Sequence, residues 1–361
     1  MFKIKKQISR LYFSSVLGNL SLTGAWVAIL ASRGFTLVEI GIAETIFHIT
    51  SLIFEIPSGV LADVFGRKRM LIVSTVMRMA ASVIMIMSND LFMVCLSIAF
   101  MALSYNFSSG TGDALACDSL KLAGMGDRFE KYASNQLIIY RLCSGLSTLC
   151  AGSAIAVGHK IAYGTNLILA AVQILVLSSL NEVGVNDETQ KNSLKRAVEC
   201  FKESFAFMKG SGRAMLLMLS NSLVGAADIL LLFFLQAKLP EKGASDWRLG
   251  AALLFMEIGG IAGSKFILKL SKLRYKYVFA MTLLLVAVGI FAEHSPFYWV
   301  MALGGFIAAA GDDALQVRTN ALLQEMFPSE QRATLTSLES FSFSIIMVVL
   351  SPLAGFFFTF W

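Results

Sequence analysis

Apolar runs of about twenty residues, separated by short polar turns, leave this chain very few folds to choose from. A run of that length is buried either in lipid or inside a large soluble domain, and the second choice needs polar elements to cover it. The chain has too few of these. Of its 361 residues 56% are hydrophobic and 15% charged, and the mean hydropathy is +0.70. An all-α integral membrane protein is expected.

Eleven runs qualify: Leu11–Ala31, Leu37–Leu61, Met70–Met87, Leu91–Ala116, Asn135–Val157, Ile161–Leu180, Ala214–Ala237, Leu249–Leu268, Tyr277–Ala292, Phe297–Leu323 and Ala333–Phe358. The first follows a basic start (Lys3, Lys5, Lys6, Arg10) like a signal peptide, but it is long enough to span and a second run follows at once. It is read as a span. The first six runs make an N-terminal bundle over residues 1–181 and the last five a C-terminal bundle over 213–361; a twelfth run is absent. Between the bundles, residues 182–212 carry Leu194, Ala197, Val198, Phe201, Phe205 and Met208 at helical spacing among lysines and an arginine, the pattern of an amphipathic helix on the inner membrane surface.

Charge sets the orientation. Alternate loops on one side hold 22 Lys and Arg residues against 5 on the other, which places the N-terminus in the cytoplasm of a plasma membrane, bacterial by expectation. The net charge of +6 would suggest nucleic acid only if the basic residues gathered on a soluble face, so no nucleic-acid partner is expected. Cys95, Cys117, Cys143, Cys150 and Cys200 lack metal or disulfide spacing, and neither metal nor cofactor is expected. No enzyme constellation is visible, because His48, His159 and His294 stand apart from any nucleophile pattern.

One turn between runs is unusually dense in information: Phe54–Met70 reads FEIPSGVLADVFGRKRM. Asp63 and Arg67 stand four apart and can pair on a helix face, while Gly59 and Gly66 permit close backbone approach or a sharp turn. Gly59, Leu61, Ala62, Asp63, Gly66, Arg67 and Lys68 make up GxLADxxGRK, which resembles the signature loop between the second and third helices of the major facilitator superfamily (MFS). The resemblance implies two helical bundles and secondary transport by alternating access. It also implies a conformational latch of Gly59, Asp63, Gly66, Arg67, Lys68 and Asp118. The chain looks like bacterial drug efflux members in Leu103, Gly110 and Gly112 of their LxxRxxxGxG pattern, with Asn106 in place of the arginine. The bundles also echo each other: Asp113-Ala114-Leu115 recurs as Asp313-Ala314-Leu315.

Charges inside runs are costly, about 2.5–3.5 kcal/mol each at a helix centre, unless a cavity or partner receives them. Acids outnumber arginines there. Three buried ion pairs are expected, Glu55 with Arg78, Asp113 with Arg141 and Arg318 with Glu339. Nearer the midplane lie Asn19, Glu44, His48, Asp228, Glu257, Asp312 and Asp313, the candidates for protons or substrate. These support a monomeric exporter of a small amphipathic or cationic organic compound, coupled to protons. The alternatives are an uptake permease or facilitator for a small nutrient, and a non-transporting sensor or partner-binding relative.

Overall fold

The computed structural model describes residues 4–183, 211–245, 247–270, 272–326 and 332–360, together with 199, 202 and 206. The amphipathic helix expected in residues 182–212 falls almost wholly outside them. Among the described residues the regular structure is helical: α1 (Ile4–Asn19), α2 (Trp26–Ser32), α3 (Leu37–Phe65), α4 (Arg67–Met87), α5 (Leu91–Ser108), α6 (Thr111–Leu122), α7 (Phe129–Leu149), α8 (Ala151–Val157), α9 (His159–Ser178), α10 (Gly212–Glu241), α11 (Trp247–Lys269), α12 (Tyr275–Ala292), α13 (Tyr298–Met326) and α14 (Arg332–Phe360). Nine of the described helical stretches are long and apolar enough to cross a membrane, ten if the bent pair α7 and α8 is one span. The protein is a multi-pass membrane protein.

The first run is where the count differs from the eleven expected. It is two helices, α1 and α2, with residues 20–25 unwound between them. The cause is local polarity. Ser21 Oγ accepts from the Thr23 backbone N–H (2.9 Å) and donates to Asn166 Oδ1 (3.0 Å), and the Ser21 N–H donates to Ser147 Oγ (3.0 Å). These bonds take the place of helical ones. The fourth run breaks as well, at Ser109 and Gly110, where Gly110 has a φ of +67° that only glycine adopts cheaply. The fifth bends by 50° at Cys150. Their counterparts α10, α13 and α14 run unbroken for 30, 29 and 29 residues.

The chain forms two compact units. One comprises Met1–Gly24, Ile46–Ser147 and Val157–Glu199; the other Ala25–Thr45, Thr148–Ala156 and Cys200–Trp361. The first is built on Leu11, Leu115, Leu120, Tyr132 and Leu177, with Ser74 donating to the Ser104 carbonyl across α4 and α5. The second is held by glycines. A Cβ on Gly259 would lie 2.3 Å from the Phe306 carbonyl oxygen and one on Gly263 1.9 Å from that of Ala310, so α11 and α13 meet backbone to backbone. Gly41 meets Ser351, and Gly355 meets Leu37, in the same way. Small residues permit this approach, and dispersion and packing reward it where lipid supplies no hydrophobic drive.

Candidate functional site

Four of the expected midplane acids converge within the second unit. On α10, Asn221, Gly225 and Asp228 share one face by their spacing of four and three. A Cβ on Gly225 would sit 3.6 Å from Asp312 Oδ1 of α13, so the glycine makes room for that carboxylate. On α11, Gly260 does the same for Asp313, whose Oδ2 lies 2.5 Å from where a Cβ would be, and Glu257 is three residues before it. Asp228 is within electrostatic reach of Asp312, Asp313 and Glu257, and Asp312 of Asp313. The Oδ1 atoms of Asp228 and Asn221 are buried with no hydrogen-bond partner among the described residues. Carboxylates crowded into a bundle cannot all carry charge cheaply; protons or a cation relieve the repulsion.

Of the other midplane candidates, Asn19 and His48 belong to the first unit and Glu44 to the second. Asn19 spends its amide on α1 itself, donating to the Ser15 carbonyl (2.8 Å) and hydroxyl (3.1 Å). Glu44 and His48 are both buried one turn apart on α3, with the His48 ring edge-on to Phe47 at 5.4 Å.

Two of the three expected ion pairs give way to other contacts among the described residues, and the acid of the third sits at a helix start. Arg78 donates to the Gly18 carbonyl (2.7 Å) and to Gln173 Oε1, not to Glu55. Gly18 is the penultimate residue of α1, so the break in the first run supplies a carbonyl-rich helix end, with its partial negative charge, for the guanidinium to cap. The break at Gly110 puts Asp113 in the first turn of α6, where the N-terminal partial charge favours an anion. Arg318 donates to the Leu273 carbonyl (3.3 Å), while Glu339 Oε1 is buried without a partner among the described residues.

The signature turn is only partly as expected. Arg67 forms an ion pair with Asp118 and also donates to the Ala114 carbonyl (2.9 Å). Gly66 has a φ of +96° and ends α3; it is a turn glycine. Among the described residues nothing lies within 4 Å of a Cβ on Gly59, so none of them explains it by close approach. The side chain of Asp63 is outside the described residues.

Several polar contacts escaped the sequence reading. Glu182 caps α4, accepting from the Lys68 backbone N–H at 3.1 and 3.2 Å, while Lys68 Nζ reaches the Ser178 carbonyl (2.7 Å). Gln173 links Arg78 to Ser14. Asn106, which stands where the efflux pattern has its arginine, is buried in a two-way bond with Ser51: Ser51 Oγ donates to its Oδ1 (3.0 Å) and its Nδ2 donates to the Ser51 carbonyl (2.9 Å). Glu39 forms a capping box with Thr36 at the start of α3. Glu293, one residue beyond α12, is buried with both oxygens unpartnered among the described residues, and burial pushes its carboxyl up to about 10. Thr36-x-x-Glu39 is a legible capping spacing, whereas the other contacts join residues remote in sequence and carry no such signal.

No protein-family model matches the chain. It is similar to the MFS-type transporter YxaM of Bacillus subtilis (strain 168), 25% identical over 241 residues, which are 62% of this chain and 56% of that protein. The match therefore spans little more than half of that relative. Among solved structures, the nucleoside transporter NupG superimposes with a TM-score of 0.74 at 17% identity, covering 98% of this chain and 90% of that one. A D-xylose-proton symporter gives 0.72 at 12% identity, over 97% and 89%. A bacterial homologue of the human lysosomal transporter Spinster gives 0.69 at 13% identity, over 97% and 80%.

Proposed function

We propose that this multi-pass membrane protein, which has the major facilitator fold, is a secondary transporter that couples proton movement to the export of a small amphipathic or cationic organic compound. One observation carries the reading: Asp228, Glu257, Asp312 and Asp313 gather from three helices in the interior of a membrane bundle. Such a cluster takes up protons when it faces one side and gives them up when its surroundings change, which is what coupling requires. The fold supports alternating access, and the ion pair of Arg67 with Asp118 supports a latch at the signature turn.

The test is accumulation of labelled cationic and neutral amphiphiles by vesicles containing the purified protein, with and without a pH gradient. Gradient-dependent accumulation is expected; movement indifferent to the gradient would overturn the coupling. A second reading, proton-coupled uptake, is favoured by Asn106, which occupies the position of the efflux-type arginine and is committed to Ser51. The similarity to a D-xylose-proton symporter points the same way. The direction of movement in cells separates the two.

A further inference from the structure

The turn from α11 to α12 carries positive charge that no described residue balances. Lys265, Lys269, Lys272, Arg274 and Lys276 fall within twelve positions, all exposed, and no acid occurs between Glu257 and Glu293. Among the described residues none of the five forms an ion pair. Arg318 of α13 adds a sixth cation beneath them. It donates to the Leu273 carbonyl (3.3 Å) in the middle of the turn, and its Nε is buried with no partner among the described residues.

The arrangement repels itself. Lys265 and Lys269 stand one turn apart on one face of α11, and Lys272 continues the spacing. The partial negative charge at the end of α11 favours Lys269, its last residue, but Arg274 and Lys276 stand at the start of α12, where the partial charge is positive. Nor is the turn loosely held: the Tyr275 hydroxyl shares hydrogen bonds with Ser220 of α10 (2.7 Å) and Thr319 of α13 (3.1 Å). The turn between α3 and α4 treats its cations differently, with Arg67 paired to Asp118 and Lys68 Nζ on the Ser178 carbonyl. At the α11–α12 turn an anion from outside the described residues would relieve the repulsion.

The surroundings say which kind of anion. Both α11 and α12 are long and apolar enough to cross a membrane, so the turn that joins them lies at a membrane surface. Exposed Phe266, Leu268 and Tyr277 flank the basic residues, and Lys276 Nζ lies 4.9 Å from the centre of the Tyr277 ring. Apolar and aromatic side chains beside ammonium groups match the boundary between acyl chains and headgroups, and Lys265, a turn inside the end of α11, has a stem long enough to reach it. We infer that Lys265, Lys269, Lys272, Arg274 and Lys276 bind the phosphate headgroup of an anionic phospholipid. The inference does not rest on the transport reading and stands or falls apart from it.

Native mass spectrometry of the purified full-length protein, released from micelles and titrated with phosphatidylglycerol, phosphatidylcholine or inorganic phosphate, tests it. Phosphatidylglycerol should bind at least tenfold more tightly than phosphatidylcholine. The double variant Lys269→Gln with Lys272→Gln should weaken phosphatidylglycerol binding by about tenfold or more, while Lys5→Gln with Lys6→Gln, which removes as much exposed charge elsewhere, should bind as wild type. If the first variant folds poorly, Lys265→Gln with Lys276→Gln takes its place, with the same expected loss. Equal affinity for the two lipids, undiminished binding in the α11–α12 variants, or the same loss in the Lys5 and Lys6 variant would overturn the site. Displacement of the lipid by millimolar inorganic phosphate would overturn the lipid assignment in favour of a free anion.

Discussion

Removing the Gln173 amide would leave the Arg78 guanidinium only the Gly18 carbonyl among its described acceptors. Gln173→Leu should therefore destabilise the protein by about 1.5–3 kcal/mol, the worth of a hydrogen bond to a charged group, read as a lower thermal midpoint in detergent. Glu55→Gln should barely move that midpoint, because no ion pair with Arg78 is lost. Glu293 gives a pH test. Its folded carboxyl titrates at about 10, above the ordinary carboxylate range, so the folded state holds a proton that the unfolded state has released. Its contribution to stability is full below about pH 4 and is lost as pH rises toward about 10. The midpoint should fall across that window, and Glu293→Gln should flatten the fall; an unchanged slope would refute the assignment. Which residues were charged and intramembrane was legible in the sequence. Their partners were not, because pairing by depth cannot know that a helix break offers Arg78 a carbonyl end or Asp113 an N-terminal turn.

Helices show where composition informs and where it misleads. Runs of apolar residues located every span, yet the breaks in the first, fourth and fifth were missed. LSLTGA and SSGTG are short enough to be absorbed into a long apolar average, and what unwinds the first is hydroxyl contact with Asn166 and Ser147, more than a hundred residues away. Glycines divide in the same manner. Gly59 and Gly263 look alike in sequence, but one borders open space and the other touches the Ala310 backbone. Gly263→Leu should cost about 1–3 kcal/mol or more by forcing α11 from α13, whereas Gly59→Ala should be neutral or slightly stabilising. Thermal unfolding of the two variants side by side checks this; equal midpoints would mean that the close packing carries no energy.

At the scale of the molecule, the signature turn was enough to anticipate the fold, because its residues serve the turn itself: Gly66 reverses the chain and Arg67 fastens it to Asp118. The candidate site was half legible. Asp228, Glu257, Asp312 and Asp313 were picked out as intramembrane acids, but their convergence depends on Gly225 and Gly260, whose value appears only when α10, α11 and α13 are packed together. Proton coupling through this cluster is the central claim. The most direct measurement is the internal pH of vesicles containing the protein, followed with a trapped pyranine dye while a transported amphiphile is added outside. Addition should trigger a proton flux in the wild type that Asp228→Asn and Asp312→Asn abolish while the folded protein still binds the amphiphile. Substrate movement with no change in internal pH, or a flux undiminished in both variants, would contradict it.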